Sequence, residues 1–411
     1  MPTMTAAGAD DARAGTTPAT IGTSAYRWII LGMVWFGFLL SFVDRLIWTS
    51  VGSTAAPSFA LPLAALGSFV SAFYVGYVAS TALTGLASDR MGPRLTLTLA
   101  LIPLGLFTCA FGTTTSVTMG LALQVLMGLT AGADLSAGVK LIMSWFDVRD
   151  RGRAMGLFMT STSLGVVITN AVIPHLLAHV PWGHIYQAAG LLTSAFGVLC
   201  YMLIRDNPGG APAERAGWRD LRAAMTNSQF VWAALAGMGG VWGTWGFAIW
   251  ASALMTRGLH LQPVTAGSIV ATFGIAAIVG KPAIGLLSDW LGGRRRILVM
   301  IDLLLFAALL LLTGTLTTEA ELWIVAPLLG LTAFVYSPLQ NAMVAEAGGK
   351  AAGTAAGVSS ALGSIGTSTV PIVVGIGFQA SQSYAVAFAI LALGPLLGAL
   401  CMIPARDLNR P

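Results

Sequence analysis

Residues 85–94 read Gly-Leu-Ala-Ser-Asp-Arg-Met-Gly-Pro-Arg, and residues 285–294 read Gly-Leu-Leu-Ser-Asp-Trp-Leu-Gly-Gly-Arg. Gly, Leu, Ser, Asp, Gly and Arg stand at matching positions in both stretches. A second pair follows in the same order, with Arg-Gly-Arg-Ala-Met-Gly at 151–156 and Ala-Gly-Thr-Ala-Ala-Gly at 352–357. This repetition indicates a chain built from two related halves. In a strongly apolar chain, it is typical of membrane transporters.

The composition predicts an all-α membrane protein that crosses the bilayer many times. Of the 411 residues, 56% are hydrophobic and 9% are charged, whereas soluble proteins average about 25% charged residues. About 20 apolar residues in a helix cross a hydrocarbon core about 30 Å thick. Twelve such spans are predicted, at residues 28–50, 64–87, 95–112, 118–142, 154–177, 183–204, 229–254, 264–287, 296–317, 322–345, 354–378 and 383–404.

The predicted spans divide six and six around a longer central segment. The expected divisions are a disordered tail at 1–25, an N-terminal six-helix bundle at 26–204, a central cytoplasmic loop at 205–228, a C-terminal six-helix bundle at 229–405 and a tail at 406–411. Part of the central loop could form a short helix on the membrane surface, and a flexible linker is an equal alternative. The residues that suggest this helix are Trp218, Arg219, Leu221 and Arg222.

The distribution of charge predicts the orientation of the chain. The net charge is +5, and most Lys and Arg residues fall in the tails or in loops on one side of the predicted spans. By the positive-inside rule both termini are cytoplasmic, and we expect a multi-pass protein of a bacterial inner membrane. The excess of positive charge is explained by membrane orientation, so it does not indicate a nucleic-acid partner. Membrane lipid is the expected partner beside the transported molecule.

The sequence favours neither an enzyme nor a metalloprotein. The three cysteines, Cys109, Cys200 and Cys401, lie in predicted spans without metal-ligand spacing. No Gly-x4-Gly-Lys-Ser/Thr phosphate loop, zinc, triad or dinucleotide motif is present in the sequence. We therefore expect no cofactor, and no ATP-driven transport by this chain alone.

These features resemble the major facilitator superfamily over residues 26–405. The resemblance rests on the Gly-x3-Asp-Arg-x-Gly-x-Arg signature after the second span, its copy after the eighth span and the central loop. Pro93 replaces the usual basic residue of the signature, and Trp290 replaces the usual Arg of the copy. The resemblance implies two pseudo-symmetric six-helix bundles that rock about a site near the membrane midplane.

The repeated signature is expected to act as a conformational latch. An Asp at a helix end beside Arg residues can hold a salt bridge that fastens neighbouring helices, and glycine permits a tight turn there. Substrate contact is the less favoured alternative. The predicted latch residues are Gly85, Asp89, Arg90, Gly92, Arg94, Asp289 and Arg294.

Charged residues inside spans are functional candidates, because each costs at least about 2.5–3.5 kcal/mol to insert. Asp44 and Arg45 in the first span resemble the Asp-Arg pair of the anion:cation symporters, in which Arg is implicated in gripping anions and Asp in proton coupling. Desolvation disfavours an ionised Asp44, whereas the charge of Arg45 favours it. An anion bound to Arg45 could therefore favour protonation of Asp44. A purely structural pair is the alternative.

Two further spans carry a candidate charge. Lys281 in Gly-Lys-Pro-Ala-Ile-Gly resembles the Arg of the Gly-Arg-Pro-x-x-Gly motif in monocarboxylate and oxalate transporters, where the cation meets the substrate carboxylate. It lies six residues from the cytoplasmic end of the predicted span 264–287, so snorkelling to that interface is an alternative. Asp134 lies among small residues of the fourth span. Gln124 and Ala131 stand where anion:cation symporters usually have Arg and Glu, which makes Asp134 the candidate second proton carrier.

The remaining charges and polar residues receive weaker predictions. Lys140 is expected to be an interfacial anchor, Asp302 to pair with one of the arginines at 294–296, and Glu346 to lie in a cytoplasmic loop. Several polar and aromatic side chains are plausible substrate contacts, although packing is the commoner role for each aromatic. These candidates are Tyr74, Tyr77, Asn170, Trp242, Trp245, Tyr336, Gln340 and Asn341.

The sequence therefore favours a monomeric, proton-coupled symporter of a small organic anion, with a carboxylate as the favoured substrate. A drug/proton antiporter is an alternative, but Thr169-Asn170-Ala171-Val172 stands where such antiporters usually have Gly-Pro in the fifth span. A transporter-like receptor is a third possibility, although no loop is long enough for a signalling domain.

Overall fold

A computed structural model describes residues 25–60, 66–146, 148–206, 222, 225–290, 294–348 and 352–406. Within these ranges, the side chains described exclude those at 81–90, 148–149, 151–152, 282, 285–290 and 352–354. The predicted tail at 1–25 falls almost wholly outside the described residues, and so does most of the central segment with its candidate surface helix.

The described residues form helices in both halves of the chain and no strand. The N-terminal half contains α1 (Tyr26–Ala55), α2 (Leu66–Met91), α3 (Pro93–Phe111), α4 (Val117–Trp145), α5 (Val148–Ala171), α6 (Ile173–Leu177) and α7 (Trp182–Leu203). The C-terminal half contains α8 (Ser228–Gly258), α9 (Pro263–Trp290), α10 (Arg295–Thr313), α11 (Glu319–Ala333), α12 (Tyr336–Gly348), α13 (Ala352–Ser381) and α14 (Tyr384–Cys401).

These helices form twelve membrane-spanning units, as the sequence predicts. Ten segments are long and apolar enough to cross a membrane, and a shorter apolar helix lies at Leu66–Ser80 within α2. The twelfth unit is α8, whose 31 residues extend over about 46 Å. The short α6 continues the span of α5, and α12 continues that of α11. Because the number of crossings is even, the start of α1 at Tyr26 and the end of α14 at Cys401 lie on one side, which we call the tail side. The opposite side is the far side.

The structure divides the predicted span 322–345 where the sequence predicted a continuous helix. The chain leaves α11 at Ala333 and resumes helical structure at Tyr336. Side chains satisfy backbone groups at this break, since Thr244 donates a hydrogen bond to the carbonyl of Ala333 and Asp302 accepts one from the backbone N–H of Tyr336. A break inside a membrane is tolerated where such partners exist.

Contacts between the halves close the far side of the molecule. The Ser71 hydroxyl donates to the carbonyl of Ser368 at 2.6 Å. Gly67 of α2 lies against the carbonyl of Pro371, and Gly267 of α9 lies against the carbonyl of Asn170. One hydrophobic cluster runs through the N-terminal half and continues into the far-side part of the C-terminal half, whereas the tail-side core of the C-terminal half is a separate cluster. The centre of the molecule is thus covered from the far side.

Close helix packing positions the polar groups of the N-terminal half. Gly105 of α3 lies against the carbonyl of Gly190 of α7, and Gly190 lies in turn against the carbonyl of Gly105. A methyl group at either position would collide with the opposite backbone. The two helices therefore approach closely at this level. They run antiparallel, since Gly112 likewise lies against Gly183, so Thr108 and Thr193 lie about one turn from the contact in opposite directions, and each interacts with Asp44 of α1.

Candidate functional site

Arg45 is the central cation of the N-terminal half and is surrounded by aromatic rings. Its guanidinium carbon lies 4.3 Å from the ring centroid of Phe42 and 4.4 Å from that of Tyr77. The rings of Phe73 and Tyr74 lie at 5.2 and 5.9 Å. A desolvated cation within about 6 Å of an aromatic ring gains about 2 kcal/mol or more. The rings from α1 and α2 thus stabilise a buried charge without neutralising it.

The Arg45 side chain keeps unused hydrogen-bonding capacity. Its Nε and Nη2 atoms have no hydrogen-bond partner among the described residues, although the side chain is buried. The acid that interacts electrostatically with it is Asp134 of α4. Asp134 is buried and accepts a hydrogen bond from the Ser41 hydroxyl of α1. A cation with unpaired donors beside a partly engaged acid can accept an anion.

Lys281 is the central cation of the C-terminal half, and it reaches across to the other half. Its Nζ donates to the hydroxyl of Ser163 at 2.9 Å and to that of Thr162 at 3.2 Å, both on α5. The ammonium also lies 4.7 Å from the ring centroid of Phe334. Lys281 precedes the end of α9 at Trp290 by nine residues, or about 14 Å. In this structure its charge is therefore turned toward the other half rather than toward the tail-side interface.

Aromatic rings connect the surroundings of the two cations. Phe42, which faces Arg45, lies 5.6 Å from Trp245 of α8 between ring centroids. The ring centroids of Trp245 and Phe334 lie 6.0 Å apart, and Phe334 is the ring that contacts the Lys281 ammonium. The site therefore has one cation from each half, with apolar rings between them. Such an arrangement can hold a negatively charged group beside an apolar surface.

Asp44 lies in surroundings different from those of Arg45. The carboxylate of Asp44 is buried beside the hydroxyls of Thr108 on α3 and Thr193 on α7, whereas Arg45 faces α2. Adjacent helical residues point about 100° apart, which explains the separation. The acid coupled to Arg45 in this structure is Asp134, and the two predicted proton carriers occupy different places.

The family model described as Major Facilitator Superfamily matches residues 33–371 and, in a second alignment, residues 244–410. The chain belongs to the major facilitator superfamily. This membership confirms the resemblance found in the sequence. Proteins of this superfamily are transporters, not enzymes, and the chain is a multi-pass membrane protein of that class.

Two curated relatives of this superfamily protein align over most of its length. It is 24% identical over 314 residues to a protein of Escherichia coli strain K12 described as a probable L-galactonate transporter, covering 70% of this chain and 68% of that protein. It is 25% identical over 403 residues to a protein of Cupriavidus necator described as a probable sulfoacetate transporter, covering 90% of this chain and 91% of that protein.

A solved structure shares the superfamily fold. It is the crystal structure of a bacterial homologue of the human lysosomal transporter Spinster, in an inward-facing and unoccupied conformation. The two chains superpose with a TM-score of 0.74 over 93% of this chain and 96% of the other, at 15% sequence identity. This similarity supports the fold alone.

Several predicted substrate contacts of this superfamily protein have other partners in the structure. The indole of Trp242 donates to the carbonyl of Ile390 at 3.0 Å, and the amide of Gln340 donates to the carbonyl of Ala233 at 3.0 Å. Asn170 donates to Val166 of its own helix at 2.9 Å. Tyr336 packs its ring against Gly240 inside the C-terminal half, and Asn341 is exposed. Tyr74 and Tyr77 are the predicted contacts that lie beside Arg45.

Sequence reasoning missed four residues that complete the site. Phe42 and Phe334 provide the rings that face the two cations, and Thr162 and Ser163 hold Lys281. Phe42 could have been found, because it precedes Arg45 by three residues and shares its helix face. The other three are distant from Lys281 in the sequence, and no local pattern distinguishes them.

The predicted latch of the N-terminal half fastens the start of α3 to the end of α7. Gly92 has φ +82°, and a side chain there would meet the carboxylate of Asp206. That carboxylate accepts the backbone N–H of Arg94 at 2.9 Å. The guanidinium of Arg94 donates to the carbonyl of Tyr201 at 2.6 and 3.0 Å. Gly85, Asp89 and Arg90 lie in α2, with side chains outside the described residues.

In the C-terminal half, Arg296 forms the contact that corresponds to that of Arg94. Its guanidinium donates to the carbonyls of Met402 at 2.9 Å and Ile403 at 2.6 Å, just beyond α14. By its place in the repeat Arg294 corresponds to Arg94, and its latch role stays a prediction, whereas the carbonyl contacts seen among the described residues are those of Arg296. The side chain of Asp289 lies outside the described residues.

The other acids on the tail side also differ from their predicted roles. Arg295 forms an ion pair with Glu346, which lies within α12 rather than in a loop. Asp302 is buried and accepts the backbone N–H of Tyr336 at the helix break. The expected pairing of Asp302 with an arginine at 294–296 is therefore replaced by a helix-capping role.

Proposed function

We propose that the protein is a secondary active transporter that moves a small organic anion, a carboxylate, by proton symport with alternating access. Arg45 binds the anionic group, and Lys281 supplies a second positive charge from the opposite half. Tyr74 and Tyr77 line the site. We also propose that the protein acts as a monomer, in a bacterial inner membrane with both termini in the cytoplasm.

The observation that carries this proposal is the state of Arg45. A buried guanidinium with two nitrogens unpaired among the described residues is costly, and an anion bound there would satisfy them. A planar guanidinium also matches a carboxylate better than an ammonium does. The relatives named as probable galactonate and sulfoacetate transporters support an organic acid as substrate.

The position of Asp134 supports a proton as the coupling ion. Asp134 and a bound anion would compete for the positive charge of Arg45, so anion binding favours protonation of Asp134. The protonated acid and the anion then leave together when the halves rock. Asp44 is the second candidate carrier, on a different side of α1.

The repeated contacts at the tail side support a latch role for the signature. Arg94 and its turn at Gly92 tie α3 to α7. We propose that Gly85, Asp89, Arg90, Asp289 and Arg294 belong to the same latch regions, which must rearrange as the halves rock.

The test is the internal pH of sealed proteoliposomes loaded with a trapped pH dye. A panel of mono-, di- and sugar carboxylates is added outside, with protein-free liposomes as the control. We expect one class of acid to acidify the lumen, and the Arg45→Ala variant to abolish that signal. Proton movement with lipophilic cations but with no acid would show a drug/proton antiporter instead. Acid binding without movement of protons or anion would show a receptor.

A further inference from the structure

Three tryptophans of α8 lie within three turns of one another, and one of them differs from the other two. Trp242 donates its indole N–H to the carbonyl of Ile390 at 3.0 Å, and Trp250 donates to the carbonyl of Pro371 at 3.1 Å. The indole N–H of Trp245 has no hydrogen-bond partner among the described residues, although the side chain is half-buried. A buried tryptophan usually has such a partner, so this donor is available to a ligand.

Ring contacts place Trp245 in the centre of the molecule, between the two cations. Its ring centroid lies 5.6 Å from that of Phe42, the ring that faces Arg45. It also lies 6.0 Å from the centroid of Phe334, the ring that contacts the Lys281 ammonium. Phe42 belongs to the N-terminal half, whereas Trp245 and Phe334 belong to the C-terminal half. The C-terminal half therefore presents a neutral donor close to the cation of the N-terminal half.

The central donors differ in charge, and this difference indicates what each of them binds. Arg45 and Lys281 carry a positive charge, whereas an indole N–H is a neutral donor without acceptor capacity. A carboxylate oxygen binds more strongly to a charged donor, so a neutral donor beside two cations is matched by a neutral acceptor, such as a hydroxyl or carbonyl oxygen. Arg45 and Trp245 share Phe42 as a neighbour, so this acceptor must lie close to the carboxylate along the carbon skeleton.

We propose that Trp245 is a specificity-determining residue that donates its indole N–H to an oxygen on carbon 2 of the transported acid. The substrates are then 2-hydroxy or 2-oxo carboxylates, a class that includes the aldonic sugar acids. This inference rests on the proposed transport of an organic anion and adds a selection among acids to it. A site with such a donor disfavours an acid that lacks the 2-oxygen, because the donor is then left unpaired.

The test is the uptake of labelled acids by proteoliposomes at fixed pH, in three matched pairs. The pairs are lactate with propionate, malate with succinate, and gluconate with 2-deoxygluconate, and protein-free liposomes correct for diffusion through the lipid. For a transported pair, we expect the wild-type kcat/KM to be at least about tenfold higher for the 2-hydroxy acid. In Trp245→Phe, which keeps a ring and loses the N–H, this ratio should fall to about one, mainly through a higher KM for the 2-hydroxy acid.

Trp242→Phe is the matched control, because the N–H that it removes is already bonded within the C-terminal half. It should keep the wild-type preference. If Trp245→Phe does not fold, Trp245→Tyr replaces it, and the preference should also fall because the phenol places its donor elsewhere. Equal uptake of both members of every transported pair by the wild type, or an unchanged preference in the folded Trp245 variant, would overturn this inference alone. Absence of uptake of every acid would overturn the proposed function as well.

Discussion

The N-terminal half holds its central cation among aromatic rings, with two nitrogens unpaired among the described residues, whereas the C-terminal half ties its central cation to hydroxyls of the opposite half. One contact outside the centre recurs in both halves. Arg94 and Arg296 each bind carbonyls at the end of the last helix of their own half. The repeat therefore maintains the frame of both bundles. The central cations of the two halves, Arg45 and Lys281, are expected to contribute unequally to anion binding.

This comparison predicts the largest effect at Arg45. Arg45→Ala should reduce uptake of the transported acid at least about 100-fold, because removing one partner of a buried ionic contact costs about 2–5 kcal/mol. Arg45→Lys should recover only part of the activity, since lysine keeps the charge but loses the planar fork that stacks on Phe42 and Tyr77. Uptake of labelled acid into proteoliposomes measures both. Uptake by Arg45→Ala near the wild-type rate would refute the role of this residue.

Substitution of Asp134 should abolish proton coupling without abolishing anion binding. Asp134→Asn carries no ionisable proton and resembles the protonated acid, so we expect loss of accumulation against an anion gradient while exchange of internal for external anion continues. Counterflow and proton-driven uptake in the same liposomes distinguish the two activities. Asp302→Asn, the buried acid of the other half, serves as the control and should retain both. Proton-driven accumulation by Asp134→Asn would exclude Asp134 from coupling.

Substitution of Lys281 should lower anion uptake less than substitution of Arg45 does. Lys281→Met should lower uptake about tenfold, because the ammonium of Lys281 already donates to two hydroxyls, whereas two nitrogens of Arg45 have no partner among the described residues. Lys281→Arg should keep most of the activity. A loss in Lys281→Met as large as that in Arg45→Ala would remove the asymmetry between the halves.

Substitution of the two helix-end arginines, Arg94 and Arg296, should have the smallest effects, and both should lower the Tm by the same amount. Arg94→Met and Arg296→Met each remove hydrogen bonds to helix-end carbonyls, worth about 1–2 kcal/mol, and should lower the Tm by about 1–2 °C in a chain of 411 residues. Differential scanning fluorimetry of the purified variants tests this. A marked difference between the two values would show that the repeated frame is not energetically symmetric.

Much of the fold could be predicted from the sequence. Apolar runs of membrane-crossing length indicated the twelve units, and the repeated signature indicated the two halves. The break between Ala333 and Tyr336 could not be predicted, because Thr244 and Asp302 that stabilise it come from other helices. The contact of Arg296 was missed for a related reason, since its carbonyl partners Met402 and Ile403 lie about 100 residues away in the sequence.

The candidate site was only partly accessible to sequence reasoning. A charge in an apolar span is conspicuous, so Arg45, Asp134 and Lys281 could all be selected. Which acid interacts with Arg45 depends on helix rotation, and Asp44, its neighbour in sequence, faces other helices. Trp242 and Gln340 look like ligands by residue type, but their polar atoms hold backbone carbonyls within the C-terminal half.

The most direct test of the account is the affinity of the purified protein for the transported acid, measured by isothermal titration calorimetry. Wild type, Arg45→Ala and Lys281→Met are compared at one pH, with intact Tm as the criterion of folding. We expect Kd to rise at least about 100-fold in Arg45→Ala and about tenfold in Lys281→Met. An unchanged Kd in Arg45→Ala, or equal losses in the two variants, would contradict it.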